Sequence, residues 1–262
     1  MSNSPQPDSP RVNWSDSEPG HAQLRIGEEF RGKVGFRRLL LAEAGLALMQ
    51  QVAAPGAWYL RSAVVSCERD AALGVASIRT INRSIIGGSL LANVHILQEG
   101  KPVLTCVGAY ERRWTQSASR PTPPAWIGQP VRLPKTVEAW PELRDKECCD
   151  ASAQLYTADN RHVLGGFVRH RTPRALDPHD LCTLLEPWTA MPDGAGRQRD
   201  IDELVFEMHC PMPPAAADVR EYTQVLVRRT DCDQRAEKLE AHLWTHQGEP
   251  LATVYARAQL RR

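Results

Sequence analysis

The run from Gly32 to Val52, GKVGFRRLLLAEAGLALMQQV, constrains the fold more than any other stretch, because its apolar residues recur at helical spacing. These residues cover most of the circumference of a helix: Phe36, Leu39, Leu40, Leu41, Ala44, Leu46, Ala47, Leu48 and Met49. A helix that is apolar nearly all round must be enclosed by other structure. One carboxylate, Glu43, lies in the middle of the run, where no neighbouring charge offsets the cost of removing it from water.

Composition excludes several classes of protein. The 262 residues are 42% hydrophobic, which is enough to bury a core, and the net charge of +1 gives no electrostatic footprint for nucleic acid or an anionic membrane. No apolar run reaches transmembrane length, and the polar, proline-rich start does not resemble a signal peptide. Seven scattered cysteines are typical of free thiols in a reducing compartment. We therefore expect a cytoplasmic protein without a membrane or nucleic-acid partner.

Turn signals divide the chain into four parts. We expect residues 1–20 to be a disordered extension, and residues 21–113 to place the helix against an antiparallel meander of strands. Closely spaced prolines over 114–150 predict a linker. Strand character returns over 151–262, with a second helix beginning near Asp177, Pro178, His179 and Asp180, because Asp is a good N-cap and Pro is favoured at the first helical position. The pattern is typical of an α+β fold.

The second half repeats the first. The segment Gly100–Thr105, GKPVLT, matches Gly248–Thr253, GEPLAT, and each begins a strand that ends in two arginines. Each half alone would leave an unpaired strand edge and a poorly covered helix. We therefore predict that the two halves pack side by side with their strands in one continuous antiparallel sheet.

The segments QEGKPVLTCVGAYERR, HQGEPLATVYARAQLRR and GFVRHRTPRALDPHDLCTLLEP, together with the long helix and its meander, resemble the double-hotdog acyl-CoA thioesterase family, which includes bacterial thioesterase II. The resemblance covers roughly residues 24–262. It implies two tandem hotdog halves, each a helix wrapped by an antiparallel sheet. It also implies a small acyl or polyketide-type substrate, carried as a coenzyme A thioester, and no cofactor. A homo-oligomer is compatible with the resemblance.

The usual site of that family combines an Asp on the second helix, a Ser or Thr on the next strand and a Gln near the end of the last strand. In this chain the helix position matches Glu186, and the strand position falls within Asp200–Asp202, where there is no Ser or Thr. The glutamine position matches Ala256, while Gln259 should lie on the opposite face of its strand. The comparison implies that the usual water-orienting triad is absent.

Glu43 offers a different route. Single-hotdog thioesterases carry a Glu or Asp in a helical segment that Leu41-Ala42-Glu43-Ala44 resembles. In that interpretation the N–H groups of Gly35 and Phe36 polarise a thioester carbonyl, and Glu43 acts as nucleophile or general base. The alternative is a structural carboxylate, for which the available cations are Arg61, Arg79 and Arg83.

Two further groups of residues are candidates for binding. Arg169 and Arg171 could bind the phosphates of coenzyme A, as could Arg37, Arg38 and His170, or all of them could form a solvated charged face.

The histidines give a weaker pattern. The spacing of His162, His170 and His179 matches no metal motif, so we expect no metal. Glu186 could pair with His179 or His209 as an acid and base.

The sequence is compatible with three functions. The first is an acyl-thioester hydrolase with an atypical site. The second is a hotdog enzyme of secondary metabolism that catalyses dehydration, isomerisation or ring closure, because one acid or base in an apolar tunnel would suffice for such steps. The third is a protein that binds an acyl ligand without catalysis.

Overall fold

The computed structural model describes residues 20–28, 34–53, 58–112, 149–155, 163–170, 176–189, 198–212, 222–233, 235–245 and 247–261. The expected N-terminal extension and most of the expected linker lie outside these ranges. The first-half elements are β1 (His21–Ile26), α1 (Val34–Val52), β2 (Tyr59–Cys67), β3 (Gly74–Ile86), β4 (Ser89–Gln98) and β5 (Lys101–Glu111). The second-half elements are β6 (Cys149–Leu155), β7 (Val163–His170), α2 (Asp180–Thr189), β8 (Gln198–Met208), β9 (Thr223–Cys232), β10 (Ala236–Trp244) and β11 (Pro250–Arg261). Within the described ranges, no helix is long and apolar enough to cross a membrane.

All eleven strands form one sheet in the order β1-β3-β4-β5-β2-β8-β11-β10-β9-β7-β6. The two halves join where β2 pairs antiparallel with β8, with Val64 opposite Val205. On either side of that join the strand order is mirrored, since β5, β4 and β3 follow β2 as β11, β10 and β9 follow β8. The continuous antiparallel sheet predicted from the repeat is therefore present.

The middle of helix α1 is buried, as its apolar circumference predicted. The residues from Leu39 to Met49 that carry a side chain are each at most 2% exposed, and the one carboxylate among them, Glu43, is 1% exposed. Gly45 and Gly108 allow the helix and β5 to approach closely, because a Cβ atom at Gly45 would lie 2.4 Å from the sulfur of Cys106. The sheet and the helix thus share a core with little spare volume.

We expect Gly45→Ala to destabilise the protein by about 1–3 kcal/mol, because the added methyl group overpacks the contact with Cys106. In an exposed helix the same change would instead stabilise by about 1 kcal/mol. The measurement is the free energy of unfolding in urea. The matched variant Gly45→Ala/Cys106→Ala should be more stable than Gly45→Ala alone, and a stabilising single substitution would contradict this account of the packing.

Arg38 connects α1 to both halves of the sheet. Its guanidinium lies 2.5 Å from Asp70 Oδ1 and 2.7 Å from Asp202 Oδ1, and it donates to the carbonyl oxygen of Ile201 at 2.7 Å. The Arg38 side chain is only 7% exposed. A buried guanidinium held by two carboxylates and a carbonyl fixes the start of α1 against β8.

One end of β3 is exposed. The pairing of β1 with β3 extends from Gly74 to Arg79, so within the described residues the remainder of β3 has β4 on one side only. Ile81, Ile85 and Ile86 in this remainder are 52%, 63% and 63% exposed. The outer edge of the sheet at this end is therefore apolar and free of a neighbouring strand among the described residues.

Candidate functional site

The buried carboxylate of Glu43 lies between the two helices. Thr183, in the first turn of α2, donates a hydrogen bond from Oγ1 to Glu43 Oε2 at 3.1 Å. Both residues are almost fully buried, at 1% and 2% exposure. The two residues are 140 positions apart in sequence, so the pair exists only because α1 and α2 pack against one another.

The start of α2 supplies an electrostatic reason for a carboxylate at this depth. Thr183 belongs to the first turn of α2, so its bond brings Glu43 close to the positive end of the helix macrodipole. Around Glu43, α1 contributes apolar side chains at Leu39, Leu40 and Leu46. A charge in such surroundings interacts strongly with whatever polar group comes near it.

The two groups that the sequence assigned to one thioester carbonyl, the N–H groups of Gly35 and Phe36 and the carboxylate of Glu43, lie far apart along α1. Gly35 and Phe36 lie in the first turn of α1, where N–H groups lack intrahelical partners, as expected. Eight residues separate Gly35 from Glu43, which is about 12 Å along the helix axis. A single thioester carbonyl cannot contact both positions. The expectation that the N–H groups of Gly35 and Phe36 and the carboxylate of Glu43 act on one carbonyl group therefore does not fit this distance.

The positions that the family resemblance indicated are occupied as follows. Asp202 on β8 is engaged by Arg38. Ala256 on β11 is buried whereas Gln259 is exposed, which agrees with the expectation that they face opposite sides of the sheet. The backbone of Glu186 lies in α2, but its side chain is outside the described part of the structure.

A second polar group lies at the start of α2. Asp180 is completely buried, and its Oδ2 accepts a hydrogen bond from the backbone N–H of Asp177 at 2.7 Å. The other oxygen, Oδ1, lies 3.3 Å from Nε2 of His170 and 3.7 Å from Nε2 of His179. The sequence indicated Asp177 as a helix cap, but it did not indicate that the fold would bring two buried imidazoles to the carboxylate of Asp180.

The expected phosphate-binding residues are only partly described. Arg169, near the end of β7, is partly buried and has its guanidinium carbon 4.5 Å from the centroid of the Tyr222 ring. This distance is that of a cation–π contact. Arg171 lies outside the described residues, so its role stays a prediction.

His209 belongs to a polar row away from Glu43. Its Nε2 is 2.7 Å from Thr253 Oγ1, which in turn is 3.3 Å from Nδ1 of His242, and His242 Nε2 is 2.8 Å from Glu240. Burial lowers the pKa of His209, and positive charge on His242 and Arg61 lowers it further. Burial also lowers the pKa of His242, although Glu240 opposes this effect. Among the described contacts, His209 has Thr253 as its partner. The side chain of Glu186, the acid that the sequence suggested for His209, lies outside the described part of the structure, so that pairing stays a prediction.

Comparison with known proteins identifies the fold. Neither a protein-family model nor a curated protein matches the sequence. An acyl-CoA thioesterase II from Mycobacterium marinum superposes with a TM-score of 0.73 at 13% identity, over 95% of this chain and 96% of that one. A conserved protein of unknown function with a hot dog fold, from Alicyclobacillus acidocaldarius, has a TM-score of 0.73 at 15% identity, over 96% and 97% of the two chains. The protein has a hotdog fold.

The same hotdog architecture extends to a different chemistry. A trans-AT PKS dehydratase domain from Brevibacillus brevis superposes with a TM-score of 0.56 at 10% identity, over 98% of this chain and all of that one (100%). The resemblance to thioesterase II that the sequence motifs suggested is therefore confirmed at the level of fold. At these identities the likeness identifies the fold and leaves the reaction to the residues of the site.

Proposed function

We propose that this protein is a double-hotdog enzyme that hydrolyses an acyl or polyketide thioester, with Glu43 as its general base. The observation that carries the proposal is the buried Glu43 carboxylate, held by the Thr183 hydroxyl between the two helices. The thioesterase II neighbour supports the substrate class. The mirrored order of β2–β5 and β8–β11 supports the double hotdog.

The chemistry needs one carboxylate and one water. Glu43 would remove a proton from water as the water oxygen attacks the thioester carbonyl carbon. The carbon–sulfur bond then breaks, and the proton passes from the Glu43 carboxyl group to the departing thiolate. The products are a carboxylic acid and a thiol, and Glu43 is again ionised. The hydrogen bond from Thr183 fixes the carboxylate orientation throughout.

A dehydratase is the second candidate. The polyketide synthase dehydratase neighbour favours it, because an isolated carboxylate can also remove a proton next to a thioester carbonyl and pass that proton to the hydroxyl group, which then leaves as water. The sequence left a non-catalytic acyl-binding protein open as well. Glu186, whose side chain is not described, is the alternative acid for either reaction.

In both cases the proposed substrate is a small acyl group carried on coenzyme A or a similar thiol. The start of α1, at Gly35 and Phe36, and the arginines Arg169 and Arg171 are the proposed contacts for its phosphate-bearing part. A cytoplasmic location and a homo-oligomer are compatible with this role and belong to the same proposal.

We expect slow hydrolysis of ordinary acyl-CoA substrates, below the typical enzyme turnover of about 10 per second. The reason is that Asp202 is committed to Arg38 and Ala256 replaces the glutamine of the usual triad. The measurement is release of free thiol from a panel of short, medium and long acyl-CoAs. Thiol release identifies hydrolysis, whereas loss of water from a 3-hydroxyacyl thioester with the thioester intact identifies the dehydratase. Rapid turnover of medium-chain or long-chain acyl-CoA would contradict our account of the missing triad.

A further inference from the structure

The start of α2 concentrates groups that ligate metal ions. Asp177, His179 and Asp180 each offer one ligand atom, and these atoms all lie within 4.8 Å of one another. The two carboxylates carry two negative charges, and His179 supplies a nitrogen ligand when neutral. Oxygen and nitrogen ligands in this combination suit zinc and neighbouring divalent transition ions.

The buried side chain of His179 is the feature that points to a bound ligand. Its side chain is 1% exposed, and neither of its ring nitrogens has a hydrogen-bond partner among the described residues. A buried imidazole without hydrogen bonds is costly, because its polar nitrogens lose their contacts with water. Its Nε2 faces Asp180 Oδ1 at 3.7 Å, which is beyond the range of a hydrogen bond.

That separation is suited to two ligands of one metal ion. Metal bonds of about 2.0–2.1 Å to nitrogen and about 2.0–2.2 Å to oxygen, with angles between about 90° and 120°, place neighbouring ligand atoms about 2.8 to 3.7 Å apart. Asp180 Oδ1 and His179 Nε2 lie at the upper end of this range. The remaining oxygen of Asp180 already accepts the backbone N–H of Asp177, which fixes the carboxylate as an outer hydrogen bond does in metal sites.

His170 supports the same arrangement from the neighbouring strand. Its Nε2 lies 3.3 Å from Asp180 Oδ1 at the end of β7, and the His170 side chain is 5% exposed. His170 therefore lies beside the Asp180 carboxylate, which would be a ligand of the metal ion. Asp177 is partly exposed, so the cluster has one side open to solvent through which an ion could enter.

We infer that Asp177, His179 and Asp180 bind one divalent transition-metal ion of the zinc class at the start of α2. The ion links two residues of the segment that precedes α2, Asp177 and His179, to the first residue of the helix, Asp180. It also compensates the carboxylate charge of Asp180, whose own side chain is completely buried. This site is distinct from the Glu43–Thr183 pair, and the inference does not depend on the proposed reaction.

The test uses the full chain without an affinity tag and titrates it with Co²⁺, whose visible absorption reports nitrogen and oxygen ligation in a low-coordinate site. We expect one Co²⁺ per chain, displaced by one equivalent of Zn²⁺. His179→Gln should weaken binding at least tenfold. Asp177→Asn should do the same while still folding, because the Asp177 side chain is partly exposed and Asn is as favourable as Asp before a helix. The control is His21→Gln, since His21 is exposed on β1 and should leave binding unchanged.

Thermal unfolding provides the second measurement. Zn²⁺ should raise the melting temperature of the native chain and of His21→Gln, because a ligand that binds only the folded state stabilises it. Zn²⁺ should raise the melting temperature of Asp177→Asn much less. Failure of the native chain to bind micromolar Co²⁺ or Zn²⁺ would overturn the inference. Equal binding by the native chain and Asp177→Asn would overturn it too, even if His179→Gln does not fold.

Discussion

Glu43→Gln is expected to lower kcat by about 10²- to 10⁴-fold, which is the contribution of a general base to proton transfer. The amide oxygen of glutamine can still accept the hydrogen bond from Thr183, and the two side chains have nearly the same shape. The variant should therefore fold while losing the group that takes the proton. The measurement is turnover of whichever thioester the native enzyme converts fastest, with thermal melting to confirm folding.

Glu186→Gln is the control for this experiment. If Glu43 is the base, Glu186→Gln keeps most of the activity. Full activity in folded Glu43→Gln together with its loss in Glu186→Gln would move the site to the second half of the chain. Failure of Glu43→Gln to fold would instead assign the carboxylate a structural role between α1 and α2.

Arg38→Met is expected to destabilise the protein by about 3 kcal/mol, because it leaves a partly buried carboxylate and a buried carbonyl without their cation. Methionine retains the apolar part of the side chain, so the loss reflects the charge rather than packing. Asp202, with a side chain 19% exposed, should carry most of the cost, whereas Asp70, at 43%, is well solvated. Urea denaturation of the native chain and the variant measures the difference.

Two further variants test the origin of the Arg38 effect. The double variant Arg38→Met/Asp202→Asn should recover part of the lost stability, since it removes the uncompensated charge. Asp70→Asn alone should cost less than about 1 kcal/mol, because the Asp70 carboxylate is exposed and Arg38 keeps its contacts with Asp202 and Ile201. A change of less than 1 kcal/mol in Arg38→Met would show that the start of α1 is fixed by other contacts.

Most of the fold was predictable because its signals are local. Apolar residues at helical spacing predicted α1, and the matched segments at Gly100 and Gly248 predicted the repeated strands. The strand His21–Ile26 was not predicted, although Ala22, Leu24 and Ile26 alternate with polar residues and are buried. Six residues give a weak alternation, and only pairing with β3 makes them a strand.

The candidate site was predictable in one part and not in another. Glu43 stood out because a charge in an apolar helix needs an explanation. Its partner Thr183 did not, because no local pattern connects residues from two helices that meet only in the folded protein. The same holds for His170 and Asp180, which belong to a strand and a helix and come together through the packing of α2 on β7.

The exposed end of β3 determines how this protein behaves when it is concentrated. A strand with bare backbone groups and protruding isoleucines is a template on which another extended chain can add by main-chain hydrogen bonds. Arg79 and Arg83, both exposed on the same strand, flank the first of these isoleucines with positive charge. Pairing of two such strands from different molecules would bring their arginines together. The repulsion between these like charges opposes the addition of further strands to the sheet. Arg79 and Arg83 thus oppose self-association at this edge, although they take no part in the core.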